Sequence, residues 1–227
     1  MRLYVKHCPL NCADRRPILE QHLKDRGLTD VKWITGYPAD HPFVQWLYVR
    51  LDKYCPPTLI SGIVKSFVAL EDLVNDPTID SALFCDDDVV FIKDWKEKMQ
   101  IPVGIPFVNM SIGVNFNILP DGRPRQLQNN GGCELVWLTK DFARFILKNV
   151  DSRESMDHVI FAMVRFLGFP LVCSPIAQQT SLLTKKSSLD HNLKNTGDWI
   201  DYVLNFKPTG LDYTELWNES GIIREDV

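Results

Sequence analysis

Residues 83–91 read LFCDDDVVF, and this stretch decides the fold. Leu83, Phe84, Val89, Val90 and Phe91 are aliphatic or aromatic, the composition of a strand inside a core. Three aspartates, Asp86, Asp87 and Asp88, interrupt them. Adjacent carboxylates repel one another, and partial burial raises the cost of each charge, so a positive partner is expected beside them. On a strand spanning Ser81 to Val90, alternation would point Asp86 and Asp88 to one side and Asp87 to the other.

Strand and helix signals alternate on either side of this stretch. Arg2 to His7 reads as a strand, Pro17 to Arg26 as a helix ended by Gly27, and Val31 to Thr35 as a second strand. From Ser61 to Val74 the apolar residues keep helical spacing, with Ser61 as the cap. Residues 101–116 are β-rich, and the polar segment 119–132 is rich in Gly, Pro and Asn and reads as a loop. Glu134 to Leu138 is a strand. Lys140 to Val150 is a helix capped by Thr139, and a further helix runs from Asp151 or Ser152 to Leu167. Phe169 to Val172 is a last strand, and the polar end of the chain reads as a tail on the domain. This order predicts a single α/β domain over 1–227, with a mostly parallel sheet flanked by helices. In such sheets ligands bind beyond the carboxyl ends of the strands, where the aspartates fall.

The 227 residues are 45% hydrophobic and 24% charged, an ordinary globular composition, and the net charge of −4 disfavours nucleic acid as a partner. No apolar run reaches the ~18 residues of a membrane span. The N-terminus lacks the pattern of a signal peptide, the six cysteines form no CxxC pair, and the sequons at Asn109 and Asn218 read as chance matches. A cytoplasmic protein with reduced thiols is expected.

Three consecutive acids between buried strand residues fit a hard cation such as Mn²⁺ or Mg²⁺, with Asp86 and Asp88 as the pair and Asp87 holding the loop. The competing reading is a solvated strand end. Two carboxylates on a divalent ion leave room for phosphate oxygens, so a metal carrying a diphosphate is the expected positive partner.

A D-x-D at a strand end in an α/β domain that begins with a strand resembles the GT-A nucleotide-sugar glycosyltransferases. More narrowly, the chain is similar to glycosyltransferase family 25, which includes lipopolysaccharide and collagen galactosyl enzymes. The stretches that carry the likeness are VKHCPLNCADRRPILEQHL, SGIVKSFVALEDL, Asp86-Asp87-Asp88-Val89, GGCELVWLTKDFARFIL, SMDHVIFAMV and SPIAQQTS, in the family's order. They place a family-like core at 1–181 and an extension at 182–227. The sequence departs from the family at Gly62, where a His is usual, and at Asp86, where a Glu is usual. Small members also occur in large DNA viruses that glycosylate their capsids.

The resemblance implies transfer of a sugar from a nucleotide donor, UDP-linked, to a glycan or glycoprotein, with inversion. It implies Asp86 at the ribose and metal, Asp88 on the metal, and His191 as a late metal ligand; His191 reads equally as an exposed loop histidine. Asp157 is the expected base for the acceptor proton, with Glu154 next, although acids at a helix start are also favoured by the helix dipole alone. Pro9, Asn11 and Arg15 are expected at the nucleotide, with Arg15 or Arg16 on phosphate; a surface salt bridge is the alternative for both arginines. Lys65 is a further phosphate candidate, and the Gly131-Gly132 turn lets backbone approach the donor sugar. Two other readings stand beside this one. A metal-dependent phosphohydrolase or nucleotidyl enzyme lacks a visible P-loop or HxD cluster, and a non-catalytic sugar-nucleotide binder is opposed by the intact aspartates.

Overall fold

The computed structural model describes residues 1–9, 13–51, 55–111, 125–126, 134–151, 155–179, 202 and 204–224. Of the expected site residues, Asn11, Gly131, Gly132, Glu154 and His191 lie outside this set, as does most of the 119–132 segment.

The chain has the α/β architecture expected of it. Strands β1 (Leu3–Lys6), β2 (Val31–Ile34) and β3 (Ser81–Asp86) lie parallel, with β1 in the middle. Helix α1 (Arg15–Asp25) joins β1 to β2, while α2 (Pro42–Arg50) and α3 (Pro57–Asn75) join β2 to β3. Beyond β3 the sheet is mixed. It continues through β7 (Leu135–Thr139), β5 (Phe107–Ser111), β8 (Val172–Gln179) and β4 (Val89–Phe91), with β6 (Arg125–Gln126) paired to β8. Helices α4 (Trp95–Lys98), α5 (Lys140–Leu147), α6 (Met156–Phe166) and α7 (Tyr213–Ser220) complete the described elements.

Both faces of the sheet are covered. Tyr4, Phe84, Val136 and Leu138 pack under α3, α5 and α6, while Leu3, Val5, Leu83, Cys85, Leu135 and Trp137 pack under α1. Burial on both faces explains why these strands are continuously apolar rather than alternating.

Local differences from the sequence reading have physical causes. β3 stops at Asp86, and Asp87 and Asp88 form a turn into β4, so strand alternation does not govern where the three side chains go. Helix α3 begins at Pro57, one turn before Ser61, because proline suits a first turn. Ser61 is therefore no cap; its buried hydroxyl donates to the Tyr37 carbonyl at 2.5 Å. Tyr37 has φ 62°, unusual for a residue with a Cβ, and burial of its ring together with the Ser61 bond holds it there. Helix α2 was not anticipated from the sequence, and it is capped by His41, whose Nδ1 accepts from the Phe43 amide at 3.1 Å. Helix α6 starts at Met156, later than Asp151 or Ser152, and the last strand is Val172–Gln179 where Phe169–Val172 was expected.

No helix among the described residues is long and apolar enough to cross a membrane.

Candidate functional site

The parallel register sets Lys6 beside Asp86, each the last residue of its strand. Their side chains form an ion pair at 2.9 Å, and the Asp86 carboxylate is 43% exposed. The next residues along each chain, His7 and Asp87, are buried together. His7 Nδ1 lies 2.7 Å from Asp87 Oδ2, and because a carboxylate only accepts, that ring nitrogen carries the hydrogen. The Cys8 amide donates to the same oxygen at 3.4 Å, and the Arg15 guanidinium donates to Oδ1 at 2.9 Å. Arg15 also reaches Asp88 at 3.5 Å. The positive partners beside the aspartates are thus Lys6 and Arg15, with His7 as a buried hydrogen-bond donor. Arg15 was expected at a phosphate; here it joins the first turn of α1 to two of the aspartates.

Asp87 does not point away into solvent. It is 7% exposed, as is Asp88, because residues 87–88 turn back toward the end of β1 instead of continuing an extended strand. The expectation that Asp87 holds the loop fits this geometry.

Lys65 enters from α3 and is only 4% exposed. Burial pushes its ammonium below the usual lysine range, opposed by the nearby Cys8, Asp87 and Asp86. Among the described residues it makes no hydrogen bond or ion pair. A buried cation left in this condition costs stability, so it calls for an anionic partner. Trp33, near the end of β2, presents an edge contact to His7 at 5.8 Å and carries the Arg16 guanidinium over its ring at 4.9 Å. Pro9 is exposed at the mouth of this region.

A second acidic group was not anticipated. Glu134 precedes β7, and its carbonyl accepts from the Asp86 amide at 3.2 Å. Burial raises the pKa of its carboxyl, and the charges of Asp86 and Asp157 raise it further, while backbone and Ser111 contacts oppose the rise. Its Oε2 is buried with no hydrogen-bond partner among the described residues. Asp157 lies in the first turn of α6 and accepts from the Ser155 hydroxyl. Asp86 and Asp157, from two other elements, thus both lie near enough to Glu134 for their charges to act on its carboxyl. A sequence signal for Glu134 existed: a lone acid between the Gly131-Gly132 turn and an apolar strand.

Oxygen donors alone suit Mn²⁺ or Mg²⁺, and the half-exposed Asp86 is open to one. Among the described residues, however, no group of three or more His, Cys, Asp or Glu side chains is placed to hold a metal ion. Lys6 pairs with the Asp86 carboxylate and Arg15 reaches that of Asp88, and substrate oxygens would have to complete any ion held there.

No protein-family model matches the chain, and no curated protein matches its sequence. Solved structures do match. The catalytic domain of Drosophila β1,4-galactosyltransferase 7 in complex with xylobiose superposes with a TM-score of 0.50 at 9% identity, covering 90% of this chain and 79% of that one. The galactosyltransferase LgtC, in complex with donor and acceptor sugar analogs, has a TM-score of 0.42 at 10% identity over 99% and 98%. A glycosyltransferase involved in glycosylation of the major capsid of PBCV-1 has a TM-score of 0.35 at 12% identity over 63% and 60%. The likeness to the Drosophila enzyme is one of fold, and it defines the chain as a GT-A-like α/β protein.

Proposed function

We propose that this protein is a glycosyltransferase that moves a sugar from a nucleotide-diphosphate donor, UDP-linked, to a glycan or glycoprotein acceptor with inversion. One observation carries the reading: an acidic turn and a buried lysine without a described partner meet at the carboxyl ends of β1 and β3. A ligand bearing both negative charge and metal-coordinating oxygens satisfies both groups. Residues 1–181 form the family-like core in this reading.

The chain's own residues divide the work. Lys65 holds the diphosphate and stabilises charge that develops on the leaving oxygens. Asp87, through His7 and Arg15, ties the ends of β1 and β3 to the start of α1 and keeps the donor cleft in shape. Pro9 and Trp33 border the nucleotide. Asp157 accepts the proton of the attacking hydroxyl. Glu134, near both Asp86 and Asp157, accepts a hydrogen bond from a sugar hydroxyl and orients it. A Mn²⁺ or Mg²⁺ ion held by Asp86 and Asp88 supplies Lewis-acid stabilisation of the diphosphate when bound. His191, Glu154, Asn11, Gly131 and Gly132 keep their proposed roles from the family resemblance.

The test is incubation with Mn²⁺ and a panel of nucleotide sugars, measuring free nucleoside diphosphate with and without saccharide acceptors. Acceptor-stimulated release is expected. Release of inorganic phosphate instead identifies a phosphohydrolase, and binding without turnover identifies a non-catalytic binder.

A further inference from the structure

Lys6 and Asp86 end neighbouring parallel strands and form their ion pair at 2.9 Å. Two residues back on each strand stand Tyr4 and Phe84, whose rings stack with centroids 4.9 Å apart and pack under α3. Strand alternation carries Lys6 and Asp86 to that same face. Lys65 reaches this face from α3 itself, buried, and near enough that the charges of Lys6 and Asp86 both act on its ammonium. Two ammonium groups and one carboxylate thus share the carboxyl edge of the sheet.

Their settings differ. The Lys6 side chain is 21% exposed and the Asp86 carboxylate about twice that, so water screens their pair and little free energy holds it. Asp87 is held by His7 and Arg15, and Arg15 reaches Asp88 only at 3.5 Å. Of the two carboxylates proposed for the ion, Asp86 is therefore the one covered by a close ammonium on a flexible stem. A divalent ion that arrives alone must displace this ammonium, which is then caught between the charge of the ion and that of Lys65. A diphosphate arriving with the ion changes the balance, because its anionic oxygens serve the ion and the displaced ammonium together.

We propose that Lys6 is a diphosphate-binding residue that covers Asp86 in the empty site and moves onto the diphosphate when the donor binds, so that ion and donor bind as a coupled pair. The assignment rests on the glycosyl-transfer reading for the identity of the donor, but it is read from binding alone. Such coupling is reciprocal: the nucleotide raises affinity for the ion by the same factor as the ion raises affinity for the nucleotide. A lysine that stayed in place and only added charge would alter affinity for the ion equally with and without nucleotide. A lysine that moves alters it chiefly without nucleotide.

The experiment compares wild type with Lys6→Met in the full chain. Affinity for Mn²⁺ is read by electron paramagnetic resonance, alone and with saturating UDP or GDP, after correction for the complex that Mn²⁺ forms with free nucleotide. Affinity for UDP and GDP is read by calorimetry with all metal chelated. Lys6→Met is expected to bind Mn²⁺ alone about tenfold more tightly, to change little when nucleotide is present, and so to lower the coupling factor about tenfold. Its metal-free affinity for the nucleotide is expected to fall about tenfold as well. If Lys6→Met does not fold, Lys6→Gln removes the same charge and takes its place. The proposal is overturned if the coupling factor stays within about twofold of wild type, or if the metal-free nucleotide affinity is unchanged. It is overturned too if wild type binds neither nucleotide without metal. A chain that shows both changes yet releases no nucleotide from any nucleotide sugar refutes the transferase reading and leaves the role of Lys6 standing. A working transferase whose coupling survives the loss of Lys6 refutes the role of Lys6 alone.

Discussion

Replacing Asp87 with alanine removes the acceptor that joins three parts of the site. Asp87 and His7 have side chains only 8% and 2% exposed, so their hydrogen bond is shielded from water. A buried hydrogen bond to a charged group contributes roughly 1.5–3 kcal/mol. Arg15 is 21% exposed, so its pair with Asp87 is screened and adds only about 1 kcal/mol. The loss also leaves His7 without its acceptor, which brings the expected destabilisation to about 3–4 kcal/mol. With a urea slope on the order of 2–3 kcal/mol/M, the unfolding midpoint falls by more than about 1 M. Asp87→Asn keeps volume and one acceptor oxygen, and costs about half as much. Asp30→Asn is the control, because the Asp30 pair with Arg2 is solvent-exposed and worth under about 1 kcal/mol. Equilibrium urea denaturation followed by tryptophan fluorescence reads all three variants. An Asp87→Ala midpoint within about 0.3 M of wild type, at unchanged slope, refutes the assignment of Asp87 as the tie between β1, β3 and α1.

Three further outcomes are expected. Lys65→Met removes a desolvated cation while keeping the stem, so the apo protein gains stability in urea, whereas affinity for a nucleoside diphosphate by calorimetry falls at least tenfold; unchanged affinity assigns the lysine to the fold. Asp157→Asn leaves nucleoside diphosphate affinity intact and abolishes transfer, while Glu134→Gln lowers kcat less than Asp157→Asn does; a large loss of donor binding in Asp157→Asn moves that residue out of the acceptor role. The His22 ring accepts from the Phe91 amide at Nε2 and is partly buried, and burial, then the Arg26 charge, lowers its pKa below 6.5. The unfolded chain therefore binds the proton more readily, so the stabilising contribution is complete above pH 6.5 and declines as pH falls toward the lowered folded pKa. In His22→Gln that part of the pH slope disappears, and a slope equal to wild type assigns it to other groups.

The sequence by itself determined the α/β class, the main helices and strands, and the placement of the acidic run at a carboxyl strand end. Those features rest on local periodicity and on turn chemistry, which each segment carries within itself. Lys65 shows the limit of that legibility: its residue type was visible, but only packing of α3 on the sheet made it a buried cation. Asp87 was read as lying opposite Asp86 and Asp88 because alternation assumes a continuing strand. The turn at 87–88 broke that assumption, and a turn side chain takes its direction from tertiary partners, here His7 and Arg15. Glu134 meets Asp86 because β7 pairs antiparallel with β3, a register that no local pattern encodes. Asp157 comes near Glu134 only because α6 packs where it does. Charges distant in sequence are brought into mutual reach by strand order and helix packing, and their energies depend on burial, which is a property of the folded chain alone.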